Sequence, residues 1–375
     1  MLVGTGYSEE KDANRAVCSA LEQAFRDFPE PALIFLFCTD HYQPEEVFQA
    51  YQGMIGSSRL VGATVPGLIQ GSEVKKRGVA AFALGTPGLN VATCLVKDIG
   101  SNSFEQGQKA GRELKKSGIK QGTVFVFPDG FAANISELLR GIYDDMGSDF
   151  TYSGGGAGDN LRFYRTYQFN EKDYSSSSVV LALMEEPEFT VAAGHGWLPL
   201  GEPMMVTRAK GKTLYELDGI PAFQRYSESL GGVDKGSFKY YGMRYPLGIP
   251  GRDGEFLIRD PLYINEDNSI ELISEVPENT VTMIMKGDVD SLVATTEELS
   301  RDISSTGQTP SFTLVFDCVS RYLLMGDQFD RELATIKRYL GRNGSNIFGI
   351  LTFGEVAGVR QPPLFYNKTI VLATR

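Results

Sequence analysis

The amino-acid sequence predicts an α/β fold in two domains, built from repeated β-α-β-α-β-β units that form mixed sheets flanked by helices. Three observations point there. A strand-helix-strand-strand pattern recurs three times along the chain. Its strands are short apolar runs rich in Val, Ile, Leu and Phe, as suits strands covered on both faces. Each copy also carries an amphipathic helix between its first two strands.

In the first copy the strand Ala32 to Phe37 ends in Cys38, Thr39 and Asp40, and a helix follows with Val47, Phe48, Tyr51, Met54 and Ile55 on one face. The segment Leu60 to Gly67 comes next, with Gly62, Thr64 and Gly67 in its loop, and Gly78 to Leu84 closes the unit. The second copy runs from Thr123 to Phe127, through a helix carrying Ile135, Leu138, Leu139, Ile142 and Tyr143, to a loop with Gly154, Gly155, Gly156, Gly158, Asp159 and Asn160. Its closing strand is Val179 to Met184. Asn134 and Glu137 form a capping-box pattern at the start of its helix. The third copy runs from Phe312 to Phe316, then Asp317 and Cys318, a helix with Leu333, Ile336 and Leu340, the loop Thr352 to Glu355 through Gly354, and Thr369 to Ala373.

A further strand and helix precede each copy, beginning at Leu2, Leu89 and Val281, so the full units span about 2–84, 90–184 and 281–373. The three Gly-rich or acidic loops are expected at equivalent positions of these units. Between the second and third units lies a stretch punctuated by Gly and Pro, with short strands and one helix near Ala222 to Leu230. It places a boundary near 215, giving domains 1–215 and 216–375.

At 375 residues the chain exceeds the usual size of one domain. Its 36 basic and 47 acidic residues give a formal net charge of −11 with no basic run, which argues against nucleic-acid and anionic-membrane binding. The first residues show neither the basic nor the apolar region of a signal peptide. No apolar run approaches the ~18 residues that span a bilayer. Cys18, Cys38, Cys94 and Cys318 are scattered and read as reduced thiols in a cytoplasmic protein.

Several catalytic motifs fail on spacing. Lys210-Gly211-Lys212-Thr213 resembles the end of a phosphate-binding loop, but Val206 stands where the first Gly is required. The glycine run beginning at Gly154 starts like a dinucleotide fingerprint, yet Asp159 occupies the third Gly position, where it would repel a pyrophosphate. With only His41 and His195 and no Cys-x-x-Cys, neither a metal site nor a cofactor is expected. The triple glycine is open to two readings, a tight turn or a close backbone approach to a ligand. Asp159 and Asn160 directly after it could grip an ammonium or hydroxyl group. Arg321 suits a carboxylate, either a ligand's or that of Glu355. Cys318 is either a nucleophile with a pKa lowered by Arg321 or a buried small hydrophobe. His195 lies between glycines beside Trp197, the single tryptophan, and Asn367 is placed inside the last strand, where it is expected to bond a neighbouring loop.

In order and spacing these pieces resemble the FIST family, the paired N- and C-terminal sensory domains of bacterial signalling proteins. The N-terminal part of the resemblance lies in Gly6-Tyr7-Ser8, Phe37-Cys38, Gly62 to Gly67, Gly155 to Asn160, Gly196-Trp197 and Glu216 to Gly219. The C-terminal part lies in Ile258-Arg259, Phe316-Asp317-Cys318 with Arg321, Gly354-Glu355 and Asn367-Lys368-Thr369. Ala63 stands where the family's usual loop has a cysteine, against a covalent role there. The resemblance implies a stand-alone cytoplasmic sensor of small polar or zwitterionic molecules such as amino acids, acting through a separate signalling protein such as a histidine kinase. It implies no established catalytic activity. Two rival readings are a haem-based nitric-oxide sensor using His195 or His41, and a hydrolase or transferase with Cys318 or Thr64 as nucleophile. Under the leading reading a ligand lies between the domains, with Arg321 on its anionic end and Asp159 with Asn160 on the other.

Overall fold

In a computed structural model of the chain, which describes residues 1–26, 28, 30–185, 189–251, 254–306, 310–341 and 346–375, the repeats form three six-stranded mixed sheets of one design. In the first sheet the strand Leu33–Cys38 pairs in parallel with Arg59–Thr64 and antiparallel with Val79–Gly85, which in turn pairs with Leu2–Ser8. The second sheet repeats this with Gly122–Pro128, Phe150–Gly155, Ser178–Glu185 and Val91–Lys97. The third uses Phe312–Cys318, Asn346–Thr352, Ile370–Thr374 and Thr190–Gly194.

Each sheet is then completed by a hairpin from a different repeat. Leu68–Gln70 and Glu73–Lys75, from the first repeat, extend the third sheet along Asn346–Thr352. Gln168–Asn170 and Tyr174–Ser175, from the second, extend the first sheet along Arg59–Thr64. Glu355–Val359 and Leu364–Tyr366, from the third, extend the second sheet along Phe150–Gly155. The exchange runs in a ring, with every repeat giving one hairpin and receiving another.

Period-two alternation decides where the core sits. Phe35 and Phe37 point inward to a core shared by all three sheets, while Ile34 and Leu36 face the helices Ala13–Phe25 and Pro44–Gln52. Aromatic edges join the sheets pairwise: Phe35 to Phe125 at 5.0 Å, Phe82 to Phe312 at 5.2 Å, and Phe127 to Phe316 at 5.7 Å between ring centroids. Ser103–Lys115 and Ile135–Met146 cover the outer face of the second sheet. Val289–Ser305 and Asp330–Leu340 cover the third. No helix among the described residues is long and apolar enough to cross a membrane.

Two sequence expectations need correction. The third repeat opens with Thr190–Gly194, which pairs with Ile370–Thr374, and not with the strand beginning at Val281. That strand, Val281–Lys286, lies in a separate sheet between Leu198–Lys210 and Leu247–Pro250. This sheet, with helices Ala222–Ser229 and Phe238–Arg244, is a layer inserted between the third repeat's first strand and first helix, and it has its own core around Val206, Leu214, Tyr226 and Ile284. The capping box at Asn134 does not form either. Asn134 is left-handed (φ 57°) and makes no side-chain cap bond, and Glu137 turns outward to pair with Arg140 at 2.6 Å.

The three loops after the second strand of each parallel pair do occupy corresponding places, where the chain crosses to the neighbouring sheet. They meet one another directly. Gly156 N–H donates to the Gly354 carbonyl at 2.7 Å, Phe353 N–H to Gly156 at 3.0 Å, Leu351 N–H to Gly67 at 2.9 Å, and Gly158 N–H to Thr64 at 3.0 Å. A side chain at Gly156 would place its Cβ 2.3 Å from the Phe353 carbonyl oxygen, and one at Gly158 would meet the Phe353 ring at 2.1 Å. The glycine run therefore serves close backbone approach between loops.

Candidate functional site

Beside this junction lies a cavity of about 360 Å³. Three parts of the chain enclose it. The second repeat's loop contributes Leu161 and Phe163, and the third repeat contributes Cys318, Val319, Ser320, Leu323, Phe353, Gly354 and Asn367. The inserted layer adds Lys239, Met243, Asp260, Pro261, Leu262 and Ile273. The walls are largely apolar, and a few polar groups converge at the floor, as small-ligand sites require.

Asp159 builds one wall indirectly. Its Oδ1 accepts the N–H groups of Arg162 at 2.9 Å and Phe163 at 3.0 Å, and its Oδ2 accepts that of Tyr164 at 2.8 Å. The carboxylate is 1% exposed, so it staples its own loop and does not face the cavity. That staple holds Leu161 (φ 59°) and Phe163 (φ 53°) in left-handed backbone that non-glycine residues seldom adopt. Phe163 is thereby set edge-on to Phe353 at 5.2 Å and beside Phe131 at 5.7 Å. Asn160 is exposed and gives its N–H to Asp40 at 3.0 Å, while Arg162 pairs with the same carboxylate.

At the floor, Ser320 Oγ donates to Asp260 Oδ2 at 2.6 Å, and Lys368 Nζ lies 3.1 Å from Asp260 Oδ1. Lys368 also donates to the Met243 carbonyl at 3.0 Å and stands 5.3 Å over the Trp197 ring. Asn367 lies in the bend between Leu364–Tyr366 and Ile370–Thr374, not inside the last strand, and is 2% exposed. Its Nδ2 donates to the Tyr366 carbonyl at 3.0 Å, and its Oδ1 has no partner.

Behind the floor sits a closed charge cluster. Arg321 Nε lies 3.2 Å from Asp317 Oδ1, and its other nitrogens pair with Glu332 and donate to the His195 carbonyl at 2.5 Å and the Leu292 carbonyl at 3.3 Å. Arg321, Asp317 and Glu332 are all 0% exposed. The anticipated Arg321–Glu355 pair is not formed, because Asp317, four residues earlier, and Glu332 on the facing helix take the guanidinium first. Burial holds the Asp317 carboxyl well above the usual carboxylate range, and the nearby Glu332 adds to this. Trp197 is enclosed in the same region at 1% exposure.

His195 is held neutral. Burial, followed by the charge of Arg321, lowers its pKa to about 4. Its Nδ1 accepts the Trp197 N–H at 2.9 Å, which fixes the proton on Nε2. The Cys318 thiol is pushed up by burial and then by Glu355, the opposite of what activates a nucleophile. Thr64 Oγ1 accepts the Tyr167 N–H at 3.0 Å in a strand register. Glu355 is pushed up to about 8, because burial outweighs its contacts to Thr352 Oγ1 at 2.7 Å and the Thr369 N–H at 3.1 Å.

Of the residues expected at a site, Cys318, Gly354 and Asn367 line the cavity. Asp317, Arg321, Glu355, His195 and Trp197 lie behind it, while Thr64, Gly67, Gly155, Gly156 and Gly158 form the loop junction beside it. Gly62 is not at the junction: it lies inside the strand Arg59–Thr64, packed against the Leu36 backbone. Sequence reasoning missed Leu161, Phe163, Asp260 and Ser320. Two apolar residues flanking Arg162, just after an Asp-Asn pair, are the available signal for the first two. For Ser320, its place directly before Arg321 is the signal.

The model of the FIST N domain matches residues 32–220, and that of the FIST C domain matches residues 222–358. The chain belongs to the FIST family. FIST domains are sensory domains of signal transduction. An uncharacterized protein of Mycobacterium tuberculosis is 25% identical over 392 residues, covering 100% of this chain and 99% of its own. An uncharacterized protein of Methanocaldococcus jannaschii is 25% identical over 338 residues, which is 82% of this chain but 64% of that longer protein. Among solved structures, a cyanuric acid hydrolase spans 100% of the chain at 9% identity with a TM-score of 0.36. The cyanuric acid hydrolase from A. caulinodans does so at 11% with a TM-score of 0.35. In FIST terms the cavity lies between the two domains. Leu161 and Phe163 come from the N-terminal match, and Asp260, Cys318 and Gly354 from the C-terminal one.

The buried acids of this FIST protein predict an unusual pH profile. Glu355 has a folded pKa of about 8 against an ordinary 4.5. Its contribution is therefore complete below about pH 4.5 and is lost as pH rises through about 8. His195 acts in the other sense: its neutral form stabilises above its ordinary 6.5, and that contribution is lost as pH falls through about 4. Glu355→Gln should flatten the fall in unfolding free energy between pH 5 and pH 8. Equal falls in parent and variant would assign that slope to other groups.

Proposed function

We propose that this FIST protein is a cytoplasmic small-molecule sensor that binds its ligand in the cavity between its domains and reports occupancy to a separate signalling protein such as a histidine kinase. The observation that carries this reading is the cavity itself, walled by both family domains and floored by a buried acceptor, Asn367 Oδ1, that has no partner. A ligand there touches the N-terminal loop and the C-terminal repeat together, so its binding energy depends on how the two meet. The cytoplasmic assignment is supported by four free thiols, three of them buried.

A thermal-shift screen of amino acids and related metabolites tests the reading. A specific ligand at a hundred times its Kd stabilises the fold by about 2.7 kcal/mol. The shift should shrink in Leu323→Trp, where a half-exposed wall residue is enlarged into the cavity. A ligand that stabilises parent and variant alike binds elsewhere.

A further inference from the structure

We infer that the cavity selects a protonated primary amine attached to a compact apolar group, and that a carboxylate on the ligand is dispensable. The inference rests on the ligand-binding reading above and narrows it by counting donors against acceptors at the floor.

All but one of the side-chain donors there are committed, the exception being the second Asn367 Nδ2 proton. Lys368 Nζ is spent on Asp260 Oδ1, the Met243 carbonyl and, at 3.5 Å, the Met243 Sδ. Ser320 has given its only proton to Asp260. The Asn367 amide is oriented by Nδ2 donating to the Tyr366 carbonyl. The Cys318 thiol is turned to Glu355. Arg321, which could have clamped a carboxylate, is sealed behind the floor with Asp317 and Glu332.

Apart from that proton, what remains are acceptors. Asn367 Oδ1 is buried and unpaired, and such an atom costs about 1–3 kcal/mol until something donates to it. Ser320 Oγ retains its lone pairs, and each oxygen of Asp260 has accepted only one hydrogen bond. A carboxylate set beside Asn367 Oδ1 and Asp260 would face their lone pairs and a like charge. An ammonium group carries three donors and no acceptor, which matches what the floor lacks. The remaining wall, including Leu161, Phe163, Phe353 and Leu323, is apolar and suits a hydrocarbon body. The cation of the lining, Lys239, is exposed, so a ligand carboxylate beside it would stay in water.

The test uses three probes with one hydrocarbon: 3-methylbutylamine, L-leucine and 4-methylpentanoate, titrated calorimetrically into the full-length protein. The amine and the amino acid should bind and the acid should not. Asn367→Leu should weaken the amine about tenfold or more, and Asn367→Asp should tighten it. Leu323→Trp, which leaves the floor intact, should weaken amine and amino acid together. Binding of the acid as tightly as the amine overturns the inference, as does tighter amine binding in Asn367→Leu. If the acid binds and Leu323→Trp abolishes it, the cavity remains the site and only the head-group assignment falls. If none of the three binds while a metabolite from the wider screen does so in a Leu323-dependent way, the result is again against the amine and not against the sensor.

Discussion

Arg321→Met should destabilise the protein by about 3–5 kcal/mol, the usual consequence of removing one member of a buried ion cluster. The guanidinium is fully enclosed and stands against two buried carboxyl groups, Asp317 and Glu332. Methionine fills much of the volume but supplies no positive charge and none of the donors that now reach the His195 and Leu292 carbonyls. Urea unfolding should show a lower midpoint with an unchanged slope. Adding Asp317→Asn and Glu332→Gln removes the stranded charges, so the triple variant should recover much of the loss. A single variant within about 1 kcal/mol of the parent would mean that the cluster contributes little net stability. A triple variant no better than the single one would mean that the loss is one of packing.

Asp159→Ala should have its largest effect on the loop that walls the cavity. The carboxylate accepts three backbone N–H groups, and hydrogen bonds to a charged acceptor are worth roughly 1.5–3 kcal/mol each. Without them the largest offset to the left-handed backbone at Leu161 and Phe163 is gone, and that backbone costs on the order of 1–2 kcal/mol per residue. Phe163 should then leave Phe131 and Phe353. Amide exchange across 158–166 should accelerate, and ligand binding should weaken even though Asp159 touches no ligand. Asp159→Asn, which keeps one acceptor oxygen, should fall between. Unchanged exchange in this segment would show that the loop is held by other contacts, such as Arg162 to Asp40.

Strands buried on both faces were legible because their apolar runs are unbroken: Leu33–Cys38, Gly122–Pro128 and Phe312–Cys318 each read directly from the sequence. The exchanged hairpins were not. Leu68–Gln70 and Gln168–Asn170 are too short to show a period, and their partners lie in other repeats. Thr190–Gly194 was hidden for a different reason. Neighbours in sequence are usually neighbours in space, so Val281–Lys286, just before a helix, looked like the opening strand, whereas the inserted layer had separated the true strand from that helix. At the site, Arg321 was recognised as a partner for carboxylates, but which carboxylates depends on the facing helix. Asp159 looked like a ligand contact because backbone N–H groups, its actual partners, leave no mark in a sequence.

The ring of exchanged hairpins has a consequence for how the protein can be made. Leu68–Lys75 emerges early in synthesis but finds its partner strand only when Asn346–Thr352 has been translated. The second sheet likewise waits for Glu355–Tyr366, close to the end of the chain. A nascent chain therefore carries unpaired strand edges through most of its synthesis, the state most prone to association with other chains. Pairings this far apart in sequence also close slowly. A fragment cut at any repeat boundary keeps one foreign hairpin site empty and one hairpin of its own unhoused, so the three sheets are complete only when all three repeats are present.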